Sequence, residues 1–402
     1  MSTNSQEEEA TWISTKIMDL AQSIDYRKIA ILYRSNYLSR AIEKSLLMNG
    51  IPYVIYGGIR FYDRAEIKDT MSYLRMLVTA DDLSFLRTIN TPKRGLGDKA
   101  VQQIIEKSIE ENCSLYEAAK NHQIFSGSNQ LKVRAYVELI ETLKLKAETE
   151  TLEDLISSIL DLSGMRRSFE DNHEQDRLEN VKELISDASS FIKMFPDATL
   201  EDYLETVALY GDKNEIINNA VSLMTIHASK GLEFDYVFIA SMNEGVFPND
   251  RAMSEGKRGI EEERRLAYVA MTRARQRLFI SDAQGFSYVL GKAQTASRFI
   301  DEIDSEVIEH HRISSYGQVI QATPKEELQA YLRGQEATIA SHSTKKTKYK
   351  KGDVILHTSF GEGIIISIDD GFANVAFNHP FGMKKLVLSH PSIMKKEKTY
   401  GA

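Results

Sequence analysis

Apolar runs of strand length stand on both sides of a long helical stretch, and this arrangement constrains the fold more than any other feature of the chain. Lys28–Tyr33 (KIAILY) is one such run and Pro52–Ile55 is another. Between them SNYLSRAIEKSLLMNG has helical spacing from Ser35 and a stop at Gly50. Together they make a β-α-β unit, the building block of a parallel sheet. From 61 to 215 nearly every periodic segment is helical: Glu66–Val78, Asp82–Thr88, Lys99–Asn112, Ser114–Lys120, Gln130–Glu150, Leu152–Ser163, Gln175–Met194 and Thr199–Leu209. Strand signals return at Ser222–Thr225, Tyr236–Ser241 and Leu278–Asp282. The pattern predicts an α/β domain with a parallel sheet, interrupted by an all-helical insertion, whose outer pieces (1–60 and 216–305) meet again in one sheet. Three domains in tandem is the alternative. Residues 6–23 add an amphipathic helix before the first strand.

A polar connector at 306–345 follows. After it, short β runs separated by turns at Gly361, Gly363, Gly371 and Gly382 predict a small all-β barrel over 346–396. The net charge of −8 is uneven: 342–402 holds ten lysines against five acids. Its basic rim, Lys345–Lys351 with Lys384 and Lys385, suits nucleic acid or an acidic protein surface. No apolar run approaches the roughly 20 residues that span a bilayer. Residues 1–20 lack the features of a signal peptide. The lone Cys113 excludes an internal disulfide framework and a multi-cysteine metal site. These features predict a cytoplasmic protein with no membrane partner and no metal-ligand cluster of its own.

Two segments carry candidate chemistry. MTIHASKGLEF (224–234) reads as a strand entering a loop and then a helix, with His227, Lys230 and Glu233 close together in the turn. A carboxylate there can accept from a ribose hydroxyl, and a histidine can sense a phosphate or a neighbouring chain. A strand–helix corner with a satisfied histidine and a solvated lysine is the plainer alternative. EEERRLAYVAMTRARQRL (261–278) reads as a helix with Leu266, Val269 and Ala270 on one face, and Arg264, Arg265, Arg273, Arg275 and Arg277 crowd its length. An arginine at a transferring phosphoryl group stabilises its spreading charge; arginines paired on the surface with Glu261–Glu263 are the ordinary case. The lysine, carboxylate and arginine are expected at C-terminal ends of apolar elements, where α/β sheets meet ligands. No G-x-x-x-x-G-K-[ST] cradle occurs in the sequence, so this is half a nucleotide site. A third segment, Lys93 to Lys99, holds an Arg94-Gly95-Leu96-Gly97 turn. Its glycines let the backbone approach a phosphate, and the next helix offers free N–H groups. Lys93, Arg94 and Lys99 add charge for a duplex contact that does not read sequence. A plain helix–helix turn is the alternative.

These segments resemble motifs V and VI of the superfamily 1 DNA helicases of the UvrD/PcrA/Rep type. AILYRSN (30–36) resembles their motif IVa, and YGGIRFYDRAEIKDTMSYLR (56–75) the point where the helical subdomain branches from the second RecA-like domain. NTPKRGLGDKAV (90–101) resembles their helix-hairpin-helix, SRFIDEI (297–303) the end of that domain, and the tail the Tudor-like module of the PcrA branch. The resemblance implies the C-terminal half of an ATP-dependent 3′-to-5′ helicase of DNA repair and replication, expected to be inactive alone. ATP with Mg2+ would be shared with an N-terminal RecA-like domain that carries Walker A and B. By the same resemblance Arg273 would be the arginine finger, Glu233 would contact the ribose, and His227 would couple the nucleotide and DNA sites. Arg34, Asn36 and Thr225 would touch single-stranded DNA. Lys93, Arg94, Gly95, Leu96, Gly97 and Lys99 would hold the duplex of a tailed substrate, and the barrel would dock RNA polymerase. Two alternatives remain: a free-standing DNA-binding or polymerase-docking module without ATPase activity, and a subunit that lends Arg273 to another ATPase.

Overall fold

The computed structural model describes residues 1–210, 218–313, 319–321, 350–351, 353–357, 361–369, 372–377, 383–387 and 393–395. The chain forms two units, Met1–Ala322 and Thr323–Ala402.

The first unit is built on a five-stranded sheet of β2 (Ile29–Tyr33), β3 (Tyr53–Tyr56), β4 (Val221–Thr225), β5 (Phe234–Ile239) and β6 (Ala274–Ile280), in the order β3-β4-β2-β5-β6. Every pairing in it is parallel. β2 lies centrally, with Tyr33 opposite Thr225 on one side and Leu32 opposite Ile239 on the other. All its residues are buried, which is why its sequence is continuously apolar rather than alternating. The two strands of the β-α-β unit are not neighbours. β4, arriving after the helical stretch, lies between them.

Alternate residues of β2 serve two layers. Ile29, Ile31 and Tyr33 pack with α1 (Gln6–Ala21) and α2 (Ser39–Met48) through Ile13, Ile17 and Ile42. Ala30 and Leu32 face the opposite layer, with Ala267, Ala270 and Phe299. Ser5 caps α1 by accepting from the Glu8 amide. The segment from Ser35 is not helical from its start: Asn36–Leu38 is a 3-10 turn, and α2 begins at Ser39.

The stretch leaving β3 has a core of its own. Its helices are α3 (Ala65–Val78), α4 (Asp82–Thr88), α5 (Asp98–Glu111), α6 (Leu115–Asn121), α7 (Ser128–Ala147), α8 (Leu152–Leu162), α9 (Met165–Asp171), α10 (Gln175–Met194) and α11 (Leu200–Ala208). α9 has no counterpart in the sequence reading. It is a short helix entered through Gly164 at φ +86°, a left-handed start that periodicity does not reveal.

α12 (Asp250–Ser254) and α13 (Lys257–Met271) precede β6, and α14 (Arg298–Asp301) follows it; the helix expected over 261–278 therefore ends at Met271, and Arg275 and Arg277 lie on β6 instead. A small mixed sheet joins β1 (Ser2–Thr3), β7 (Asp282–Ala283), β10 (His311–Ile313) and β11 (Val319–Gln321), beside a hairpin of β8 (Gly285–Ser287) and β9 (Lys292–Gln294). Within the predicted connector at 306–345, β10 and β11 pair with each other; residues 314–318 and 322–345 lie outside the described residues.

The second unit contains an antiparallel sheet of β12 (Val354–His357), β13 (Gly361–Asp369), β14 (Phe372–Phe377), β15 (Met383–Val387) and β16 (Ile393–Lys395), in the order β15-β14-β13-β12-β16. Gly363 is required there, because a Cβ would fall 2.5 Å from the Phe377 ring. Gly371, Gly382 and the stretch 345–349 of the basic rim lie outside the described residues.

A buried ionic joint ties the insertion to the sheet layers. Arg40 of α2 is fully buried and donates to Glu183 (2.7 Å) and Asp187 (2.9 Å) of α10 and to Glu7 (3.0 Å) of α1. Lys44 and the hydroxyls of Tyr62 and Tyr203 complete the shell around Asp187 at 2.9, 2.8 and 3.1 Å. Burial alone would raise Asp187, but Arg40 and Lys44 hold it below the usual carboxylate range. Burial pushes Glu183 up to about 7 against the pull of Arg40. The fold therefore binds the Glu183 proton more tightly than the unfolded chain does. That contribution is complete below its ordinary value of 4.5 and is lost as pH rises through about 7. Asp187 acts in the opposite sense, and its contribution is lost as pH falls through its depressed value. Arg40→Met leaves two buried carboxylates without their main partner and is expected to cost about 3–5 kcal/mol. In urea unfolding the deficit should be largest near pH 8 and shrink in acid as the carboxyls take protons. A deficit independent of pH would refute the charge account.

Candidate functional site

Because all five strands run the same way, the candidate residues sort onto two opposite ends of the sheet. Arg34 and Thr225 leave β2 and β4 at the C-terminal end. The Ile226 amide donates to the Tyr33 carbonyl (2.9 Å), tying the two exits together. Arg34 turns inward and forms a bidentate pair with Glu263 of α13, Nε to Oε2 at 3.0 Å and Nη2 to Oε1 at 2.8 Å. The Glu263 side chain is only 6% exposed. The sequence offers Glu263 only as one of three acids that could pair with arginines on the surface; its spacing from Ala267 and Ala270 on the buried stripe is the signal that singles it out. Thr225 accepts from the Ala228 amide through Oγ1 (3.3 Å). Asn36 is exposed, and its carbonyl accepts from Arg64 Nη2 (3.1 Å). His227 is exposed as a whole. Partial desolvation of its ring, then the Arg34 guanidinium, hold its pKa below the usual histidine value, with Glu263 opposing. The half-exposed Tyr56 stands beside the Gly57-Gly58 turn, which packs near Asn36 and Ala228.

Glu233 and Arg273 enter β5 and β6 and so occupy the N-terminal end. The Phe234 amide donates to the Arg273 carbonyl (2.9 Å). The Arg273 guanidinium donates to the carbonyls of Val269 (2.8 Å) and Leu232 (3.0 Å) and to the Thr272 hydroxyl (3.0 Å). All three partners are neutral, so they hold the arginine in place without cancelling its charge. Glu233 accepts from Arg275 Nε (3.0 Å), with both side chains at least half exposed, so solvent screens the pair and leaves it weak.

This geometry corrects two expectations. His227, Lys230 and Glu233 do not share one turn. The segment after β4 forms a 3-10 turn at His227–Ser229, no helix follows, and the chain crosses to the opposite end before β5 starts. Nor do the carboxylate and arginine lie at C-terminal strand ends. β4 and β5 flank β2 in the same direction, so a short link between them must run from one end of the sheet to the other.

The third candidate lies between α4 and α5. Gly95 sits at φ +72°, and Gly97 caps α5 with open space where a Cβ would be. Leu96 is buried, while Lys93, Gly95, Gly97 and Lys99 are exposed. Arg94 departs from its expected role as a free charge: it folds back into the insertion and donates to the carbonyls of Thr88 (2.8 Å) and Thr91 (3.2 Å) and to the Tyr73 hydroxyl (2.7 Å). Asn90, unremarked in the sequence, braces the turn by accepting from the Arg94 amide (2.8 Å) and donating to the Leu96 carbonyl (3.0 Å).

Among the described residues no group of three or more His, Cys, Asp or Glu could hold a metal, and no helix is long and apolar enough to cross a membrane.

Residues 1–285 match the family model of the UvrD-like helicase C-terminal domain. The chain is 33% identical over 408 residues to the ATP-dependent DNA helicase PcrA of Staphylococcus aureus, covering 98% of this chain and 56% of the relative. It is also 33% identical over 409 residues to the PcrA of Staphylococcus epidermidis, covering 98% and 55%. It thus spans about half the length of the curated relatives it matches.

The Arg34–Glu263 pair makes an electrostatic prediction. Arg34→Met should raise the His227 pKa, since it removes a cation and unmasks Glu263. Glu263→Gln should lower it further by leaving Arg34 unpaired. An NMR titration of the imidazole reads both, and shifts of the same sign would refute the arrangement.

Proposed function

The chain belongs to the family of UvrD-like helicase C-terminal domains, and we propose that it supplies the second half of an ATP-driven 3′-to-5′ DNA helicase. In this reading 1–60 and 216–305 form the second RecA-like domain, 61–215 the inserted subdomain, 306–345 a linker and 346–396 an SH3-like barrel. The observation that carries the proposal is the sorting of candidates onto two ends of one parallel sheet. Glu233 and Arg273 stand at one end, and Arg34, Asn36, Thr225 and His227 at the other. A motor that couples a nucleotide to a strand of DNA needs two such surfaces on one rigid body.

ATP with Mg2+, gripped by a first RecA-like domain with Walker A and B, would supply the phosphoryl group and the cation that neutralises it. The residues of this chain suit the complementary part. Arg273 presents an uncancelled charge held by neutral acceptors, as stabilisation of developing phosphoryl charge requires. Glu233 has only a screened surface pair to give up for a ribose hydroxyl. At the other end Asn36 and His227 are exposed toward a single strand, with Arg34 behind them setting the local field. The exposed lysines of the Gly95–Gly97 turn suit the duplex of a tailed substrate. Work in DNA repair and replication, in the cytoplasm, is part of this reading and rests on the resemblance of the motifs to those of the helicase family. RNA polymerase docking by the barrel draws on the exposed Lys350 and Lys351 and on the exposed Ile364 and Ile366 of the sheet. A free-standing DNA-binding module is the second reading, favoured by the turn between α4 and α5, which exposes Lys93 and Lys99.

Hydrolysis assays separate these readings. The chain alone should turn over no ATP, with or without single-stranded DNA. In the protein that also carries the first domain, Arg273→Ala should lower kcat about a thousandfold. Intact DNA-stimulated hydrolysis in that variant would sink the finger assignment, and turnover by the chain alone would sink the division of labour.

A further inference from the structure

Arg94 is the cation at the centre of the glycine turn, yet its guanidinium is spent on the inside of the insertion. Nη1 donates to the carbonyls of Thr88, Ile89 and Thr91 at 2.8, 3.2 and 3.2 Å. Nη2 donates to the Tyr73 hydroxyl at 2.7 Å and to the Ser163 carbonyl at 3.4 Å. The guanidinium carbon lies 5.4 Å from the centre of the Tyr136 ring. Tyr73 in turn donates to the Thr91 carbonyl (2.6 Å), and Tyr136 shares a 2.6 Å hydroxyl contact with Thr88. Thr88 ends α4, so these carbonyls belong to the end of that helix and the strand of turn beyond it. Such carbonyls have no partner within the helix, and the helix dipole makes a cation favourable there.

We infer that Arg94 is a positioning residue. It clasps the C-terminal end of α4 to Tyr73 of α3 and to the α8–α9 corner, and so fixes the turn in which Gly95, Gly97, Lys93 and Lys99 face outward. The inference rests on the duplex-binding reading of that turn and refines it: Lys93 and Lys99 meet phosphates, and Arg94 does not. Lysine cannot replace Arg94, because a single ammonium has neither the planar fork nor the reach to bridge the acceptors on three elements, two carbonyl-bearing helix ends and the Tyr73 hydroxyl. Tyr73 is the second half of the clasp, and it bears no charge that a phosphate could use.

The test measures binding of a fluorescent tailed duplex to the full chain across a series of KCl concentrations, alongside hydrogen exchange of the Gly95–Gly97 amides without DNA. A phosphate contact contributes close to one unit to the slope of log K against log salt. Lys93→Ala and Lys99→Ala should each reduce the slope by about one. Arg94→Lys and Tyr73→Phe should instead weaken binding at every salt concentration, Arg94→Lys by about tenfold, with the slope unchanged and exchange in the turn accelerated. An Arg94→Lys protein that keeps wild-type affinity and exchange would overturn the inference, as would a Tyr73→Phe protein indistinguishable from wild type on both readouts. If both lysine variants bind as wild type does, the duplex reading fails and takes with it the link from Arg94 to DNA, whereas the clasp itself is overturned only by unaltered exchange in Arg94→Lys.

Discussion

The central strand β2 sets the terms for the rest of the first unit. It is buried on both faces and paired along both edges, so its backbone groups have no water to fall back on and must find strand partners. The partners are β4 and β5, which come from the far side of the insertion in sequence. The helical stretch must therefore leave after β3 and return its end beside β2, however large it grows between. Parallel pairing also allows no tight hairpin, so each connection crosses the sheet from end to end. From that single demand follow the discontinuous domain and the two opposite ends on which the candidate residues lie.

The parts legible in the sequence were those with a strong period. KIAILY declares a buried parallel strand by being apolar at every position, and α4 and α10 fall at the bounds that the apolar spacing predicts. What stayed hidden depends on direction and on partner. Spacing places His227 and Glu233 six residues apart, which suggests one turn; only the knowledge that β4 and β5 are parallel separates them to opposite ends. Glu263 looks like one acid of three in a charged run, but it is the one whose helix face meets the sheet and Arg34. Arg94 reads as a free cation because nothing local announces that Tyr73, Thr88 and Ser163 will converge on it. A sequence lists charges; it does not say which of them the fold has already used.

The ionic joint at Arg40 shows the same thing where no site was suspected. Arg40 and Lys44 look like the polar face of an ordinary amphipathic helix, and Glu183 and Asp187 like that of another. Packing the insertion against α2 turns those faces toward each other and removes water from between them. Isolated, each charge would be costly to bury, and their attraction repays this only with geometry that satisfies all the groups. Here the Tyr62 and Tyr203 hydroxyls take up the remaining lone pairs of Asp187. An apolar interface could supply comparable stability, but it would tolerate sliding. A fork of hydrogen bonds from one arginine to α1 and α10 fixes one seating of the insertion on the sheet.

Of the connections that join the ends of the sheet, two lead from candidate residues at one end to candidate residues at the other. One is the crossover from His227 to Glu233. The other is α13, which carries Glu263 against Arg34 and then delivers the chain to Arg273. From Glu263 to the end of the helix at Met271 is roughly 12 Å at the rise of an α-helix, and over that length its hydrogen-bonded backbone behaves as a rod. The Arg34–Glu263 pair is bidentate and nearly buried, so it resists sliding at one end of the rod. At the other, three hydrogen bonds anchor the Arg273 guanidinium to Val269, Thr272 and Leu232, the first two on the rod and its exit and the third on the crossover. The two routes thus converge on one side chain. Anything that shifts Arg34 relative to the sheet bears on the seat of Arg273 through a stiff element, without needing the sheet itself to deform.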